Sequence, residues 1–194
     1  QQVCRFLNIT SSFINKLKVD LVSDLHIDHW SLEYMKKYPF GTQKNSKFYF
    51  NISNVSPLLI VAGDICDNLN DSIDFLHYAS HFYETILFVD GNHEHTEKYP
   101  DLYKTSDISE MIDNKKVVYL PKNSYVVNKT AFIGSCGWWN YNNSDSETIS
   151  KCTNYFRNWI PHFGKTENLN FIQNVINRSN EEYKYLDKLL TQYE

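Results

Sequence analysis

Asp24, His26, Asp64, Asp67, Asn92 and His93 are residues of the kinds that hold metal ions and move protons. They fall in three short polar segments: Ser23-Asp24-Leu25-His26-Ile27-Asp28, Gly63-Asp64-Ile65-Cys66-Asp67-Asn68 and Asp90-Gly91-Asn92-His93-Glu94-His95. Converging Asp, His, Asp and Asn side chains suit a pair of divalent cations. Carboxylates supply the negative charge that holds two cations close together, and one carboxylate, here Asp64, can serve both. Imidazole and amide oxygen suit transition metals such as Mn, Fe or Zn. The spacing Asp24-x-His26 at a strand end would put both side chains on one face. Gly63 and Gly91, two of six glycines in the chain, directly precede candidate ligands and would let the backbone turn tightly there.

Those segments need elements to position them, and each follows a short apolar run. Residues 18–23, 58–62 and 85–89 are rich in aliphatic and β-branched side chains, are bounded by Asp, Gly or Pro, and predict buried strands. Between the second and third, residues 70–83 place Ile73, Leu76, Tyr78, Ala79 and Phe82 near helical spacing, which predicts a crossover helix. Strand, helix, strand in that order implies parallel pairing with a right-handed crossover and an α/β layered domain. In an open parallel sheet all three polar segments lie at the carboxyl edge, where ligands bind. Beyond them the pattern predicts a helix near 102–113, strands at 117–120, 124–127 and 130–135, and a long irregular loop or inserted cap over 138–165. One long or two short amphipathic helices then run from 166 to the end.

The three segments resemble the D-x-H, G-D-x-x-D and G-N-H-E/D blocks of the calcineurin-like metallophosphoesterases, in the same order and each directly after a predicted strand. Phe132-Ile133-Gly134 followed by Trp138-Trp139-Asn140 is similar to a strand-then-Trp segment of many members. The resemblance implies a layered β-sandwich flanked by helices, with residues 1–17 as an N-terminal extension and 18–194 as a partial phosphoesterase domain with variable loops near 30–55 and 138–165. It also implies a dinuclear hydrolase acting on a phosphate mono- or diester. Asp24 and His26 would bind one ion, Asp64 would bridge two, and Asn92 would bind the second. A bridging hydroxide would attack phosphorus while His93, oriented by Asp67, gives a proton to the leaving oxygen. Asn68 stands where the protein Ser/Thr phosphatases of the family carry a phosphate-binding Arg, which argues against that narrow type.

The family pattern asks for further histidines downstream, a strand-end His and then G-H-x-H. His162 is the one histidine after His95 in this sequence, and no G-H-x-H follows it. The expectation is a C-terminally incomplete, truncated enzyme-type domain. The alternative is a phosphoesterase-like scaffold acting as a binding module.

Blander roles compete at several positions. Asp and Asn at strand ends often cap helices and turns, and Asp67 could be the N-cap of the following helix. Asp28, His29, Glu94 and His95 either support the site or face solvent. His77 and His81, at i, i+4 spacing, are expected on an exposed or interfacial helix face, and Cys66 as a small packed residue. Trp138, Trp139 and Tyr141 either pack at the loop base or stack on a base or sugar.

Composition bounds the rest. With 194 residues, 42% hydrophobic and 22% charged, the chain is an ordinary globular sequence of one domain. The formal charge of −4, without a basic cluster, supplies no footprint for nucleic acid. Four cysteines without C-x-x-C spacing read as reduced thiols. No apolar stretch reaches the length of a membrane span and no signal peptide is recognisable, so the expected setting is cytoplasmic. A half-domain would expose a sheet edge, from which self-association is expected.

Overall fold

The structure is a computed structural model and describes residues 17–29, 56–99, 101–159 and 168–193, without side chains over 155–159 and 168–169. The predicted extension at 1–17, except Leu17, the variable loop near 30–55 and His162 lie outside the described residues. Four strands, β1 (Val19–Val22), β2 (Leu58–Ala62), β3 (Thr85–Val89) and β4 (Val117–Tyr119), form a parallel sheet in the order β1-β2-β3-β4. Val22 is paired with Val61, and Ala62 with Val89. The strands therefore end within a residue of one another, and the three polar segments leave the sheet side by side.

Period-two alternation gives each strand two apolar faces, as a sheet covered on both sides requires. Leu59, Val61, Ile86 and Phe88 face helices α1 (Leu69–Ala79) and α2 (Thr105–Ile112), whose Ile73, Phe75, Leu76 and Ile108 complete that core. Leu58 and Leu87 face the other way, with Leu120. There they meet Tyr125 and Phe132 of an antiparallel hairpin, β5 (Ser124–Val127) with β6 (Thr130–Ile133). The α/β layered architecture expected from the strand pattern is thus the one adopted: helices on one face, the hairpin on the other.

Asn68, not Asp67, is the N-cap of α1: its side chain accepts a hydrogen bond from the Asp71 amide at 3.1 Å. The predicted helix at 70–83 ends earlier, at Ala79, and the one at 102–113 begins later, at Thr105. The expected irregular stretch over 138–165 needs a larger correction, because it contains a helix, α3 (Ser146–Trp159). Asp145 starts that helix by accepting the Thr148 amide at 2.7 Å, a local capping signal inside an otherwise polar stretch. The C-terminal segment forms one helix, α4 (Asn168–Tyr193). Its Ile172, Val175 and Ile176 pack with Tyr141, Trp138 and Phe171 in a separate core over the carboxyl edge of the sheet. Among the described residues, no helix is long and apolar enough to cross a membrane.

Candidate metal centre

Backbone pairing of the first two polar segments continues past the strand ends. The amides of Asp24, His26 and Ile27 donate to the carbonyls of Gly63, Asp64 and Ile65 at 3.1, 3.1 and 2.9 Å. Asp24, His26 and Asp64 nevertheless have positive φ, at 53°, 40° and 56°. The pleat on which the D-x-H spacing was expected to act is therefore absent, and a left-handed backbone brings the side chains together instead. Left-handed conformations are uncommon for residues with a side chain, and such strain concentrates at functional sites.

One ligand atom each from Asp24, His26 and Asp64 lies within 4.8 Å of the others. The Nδ1 atom of His26 is buried and has no hydrogen-bond partner. A buried ring nitrogen without a partner is costly, so a bound cation would relieve it. That observation, with an oxygen and nitrogen donor set, fits a divalent metal ion. Asn92 is exposed beside them, and its side chain makes no capping bond to the turn that follows.

Gly63 and Gly91 bring the second and third loops into contact. Gly63 has the expected left-handed backbone, with φ of 74°, and a β-carbon on it would lie 2.6 Å from the Gly91 nitrogen. Gly91 does not turn that way. A β-carbon there would sit 2.1 Å from Oδ1 of Asp64, so its role is close approach. The same Oδ1 accepts the His93 amide at 3.0 Å, which ties the bridging candidate to the third loop.

His93 and Asp67 are brought together across these loops, with Nδ1 2.5 Å from Oδ1. Burial alone would lower the His93 imidazole. The Asp67 hydrogen bond and the charges of Asp64, Asp67 and Glu94 outweigh it, and the pKa rises above its ordinary value. His26 meets His93 edge-on, with ring centroids 4.4 Å apart. A second group of ligand atoms, from His26, Asp67 and His93, also lies within 4.8 Å.

Two residues left open between support and solvent are buried. Glu94 is 0% exposed, and its carboxylate accepts the amides of Asp64, Ile65 and Gly91 at 3.0, 2.7 and 2.7 Å and the Ser72 hydroxyl at 3.1 Å. It fastens the second loop to the third. Burial raises its pKa, and the three amides act against that rise. His95 bonds Asp90 through Nε2 at 2.7 Å and accepts the Tyr103 amide on Nδ1 at 3.0 Å. Asp28 and His29, by contrast, are exposed, and Asp28 accepts the Asp67 amide at 3.4 Å. His77 is interfacial, its Nε2 on the Ile112 carbonyl, and His81 is exposed. Cys66 is packed in the core as expected.

Asp90, the last residue before the Gly91-Asn92-His93 turn, is 1% exposed. It accepts from Tyr119 at 2.6 Å and from Arg178 of α4 at 3.2 Å. Burial raises its pKa, but the His95 bond and the Arg178 charge outweigh that and hold it below the usual carboxylate range. Arg178 also donates to the Tyr103 carbonyl at 3.0 Å and to Glu182. Glu182 in turn accepts the Ser135 hydroxyl and the Cys136 amide at 2.5 and 2.9 Å. Asp90, His95 and Cys136 also have ligand atoms within 4.8 Å of one another, but the guanidinium already neutralises Asp90. This cluster is read as an ionic clamp between α4 and the third loop. Sequence reasoning missed Arg178 and Glu182 as members of it. Their i, i+4 spacing on the last helix was the available signal, and it is indistinguishable from a surface pair.

A cleft of about 1240 Å³ opens beside the loops, lined by Asp24, Asp64 and Asn92 together with Trp138, Trp139 and Tyr141. Trp138 is half-buried between His95 and Phe171, whereas Trp139 is exposed.

The family model described as calcineurin-like phosphoesterase matches residues 17–191. A protein of Acanthamoeba polyphaga mimivirus, described as uncharacterized, is 30% identical over 140 residues. The match covers 69% of this chain and 48% of that relative, so the chain spans about half the length of the protein it matches. No solved structure matches the chain.

Proposed function

Because the chain belongs to the calcineurin-like phosphoesterases, we propose that it hydrolyses a phosphate mono- or diester with the help of two divalent metal ions. Asp24, His26, Asp64 and Asn92 are the proposed ligands. The observation that carries this reading is the convergence of one ligand atom each from Asp24, His26 and Asp64 within 4.8 Å of one another, together with a buried Nδ1 of His26 that lacks a partner. Mn, Fe and Zn all accept this donor set.

Bound ions would supply Lewis-acid activation of water and neutralise charge on the phosphoryl oxygens. The protein's own part is orientation and proton transfer. Asp67 holds Nδ1 of His93, which leaves Nε2 as the ring nitrogen that can exchange a proton. In the metal-free chain, against the lowering by burial, the Asp67 bond and the neighbouring carboxylates raise the His93 pKa, and a group that protonates a leaving oxygen must carry that second proton. Asp64 receives the His93 backbone amide, which fixes the proton donor relative to the proposed bridging ligand. Glu94 and the two glycines hold the loops at that separation. The cleft gives a substrate access to Asp24, Asp64 and Asn92.

Hydrolysis of an aryl phosphate monoester and diester, with added manganese, tests the proposal. Turnover that is lost in His93→Ala supports it. A chain that neither retains metal nor turns over either ester is a binding module instead.

A further inference from the structure

Trp139 is 53% exposed, an unusual position for the largest apolar side chain, and it stands in the wall of the cleft that contains Asp24, Asp64 and Asn92. Its ring stacks on Tyr141, with centroids 5.4 Å apart and planes 27° from parallel. Tyr141 is itself buried against α4, through Ile172, Val175 and Ile176. The exposed indole is therefore backed by a buried ring rather than left loose on a surface loop.

The chain around this pair is shaped to present it. Gly137 enters the turn with φ of 77°, and Tyr141, Asn142, Asn143 and Ser144 follow in left-handed conformation. Asn140 secures the turn by accepting the Asn143 amide at 3.1 Å and donating to the Asn143 side chain at 3.0 Å. A run of non-glycine residues at positive φ is unfavourable unless its surroundings impose it, and such backbone clusters at ligand sites. Trp138 stands in the same cleft wall, its ring packed against His95 and Phe171, and so holds the neighbouring Trp139 backbone in place.

We propose that this cleft selects phosphoesters whose alcohol part carries a planar aromatic group, stacked on Trp139. The inference rests on the phosphoesterase reading and names its substrate class. An exposed ring beside a polar reaction centre suits a ligand with a charged end and a flat apolar end. Nucleobases and simple aryl groups share that chemistry.

The full chain with manganese is assayed on adenosine monophosphate, 1-naphthyl phosphate, octyl phosphate and glycerol 2-phosphate. In parallel, naphthyl phosphonate and adenosine monophosphate are titrated into the metal-free chain while tryptophan fluorescence is followed. The two aromatic esters are expected to have kcat/KM at least tenfold above the two aliphatic ones. In Trp139→Ala that ratio falls about tenfold, mainly through KM, as expected for loss of one stacking ring. Trp139→Phe keeps most of it, and Tyr183→Ala, on the exposed face of α4, leaves it unchanged.

Octyl phosphate matching naphthyl phosphate, or a ratio unmoved by Trp139→Ala, overturns the inference while leaving the phosphoesterase reading intact. Trp139-dependent binding of naphthyl phosphonate with no turnover of any ester sinks the hydrolase reading and leaves the aromatic groove standing.

Discussion

Gly91 and Asp64 are packed so closely that a β-carbon on the glycine would fall 2.1 Å from the aspartate Oδ1 and 2.6 Å from its backbone nitrogen. The side chain could swing aside, but the backbone could not. Gly91→Ala must therefore separate the two loops that carry Asp64, Asn92 and His93. The expected stability loss is about 1–3 kcal/mol, the usual cost of overpacking. A larger effect is expected on function: at least a hundredfold lower turnover of an aryl phosphate, with weaker manganese binding. Denaturant unfolding and a manganese titration of the same variant check both parts.

Glu94→Gln tests the fastening of the loops. The carboxylate accepts three amides and a hydroxyl. A glutamine would turn an NH2 group toward donors, leaving buried amides unpaired at about 1–3 kcal/mol each. A fall of at least 2 kcal/mol in unfolding free energy is expected. Equal stability of variant and parent would show that the carboxylate is not a fastener.

Asp67→Asn isolates the partner of His93. In the metal-free chain, His93 titrates above its ordinary value because Asp67 and neighbouring charges outweigh burial. With the Asp67 charge removed, the lowering by burial acts against less opposition, so the His93 pKa falls in the variant. Ring-proton NMR of the metal-free proteins over pH 5–9 reads this directly. Turnover should fall roughly ten- to a hundredfold, the scale seen when an orienting partner is removed.

These predictions differ in how much of their basis can be read along the chain. Asp24, His26, Asp64, Asn92 and His93 follow strand-like runs, and parallel pairing of those runs brings them to one edge, so their convergence was legible. The manner of convergence was not. Positive φ at Asp24 and His26 follows from how the first loop hydrogen-bonds to the second, a tertiary relation with no local signature. Glu94 looked like one more polar loop residue because its partners are backbone amides contributed by two loops. Helix α3 was obscured by the low overall hydropathy of an Asn- and Ser-rich stretch, although Ile149, Cys152, Phe156 and Trp159 keep helical spacing and Asp145 three residues before Thr148 is a capping pattern.

Arg178 should be the most costly single residue to remove from α4. Asp90 and Glu182 are 1% and 2% exposed, and both depend on its guanidinium. Arg178→Met strands two buried carboxylates, and breaking a buried pair costs about 3–5 kcal/mol. Urea unfolding checks the loss. The double variant Arg178→Met, Glu182→Leu is expected to recover part of it, because one of the stranded charges has gone.

The edge strand carries a separate pH dependence. Asp20 accepts the Ser56 amide and hydroxyl at 3.0 and 2.7 Å and the Tyr83 hydroxyl at 3.0 Å. Burial raises its pKa, but these bonds outweigh it and hold the group below its ordinary 3.8. A depressed folded-state pKa means stabilisation that is full above the unfolded value and lost as pH falls through the folded one. Asp20→Asn should therefore have the lower Tm at pH 7, and the gap should close below about pH 4. Thermal melts between pH 7 and pH 3 would show this, whereas a gap independent of pH would contradict it.

Manganese binding by the purified chain is read by electron paramagnetic resonance of free Mn2+. Saturable binding is expected of the parent chain, sharply weakened in Asp64→Ala and in His26→Ala. In His81→Ala, which alters an exposed histidine of the turn after α1, binding should be unchanged. No saturable binding, or binding indifferent to Asp64 and His26, would contradict the proposed metal centre.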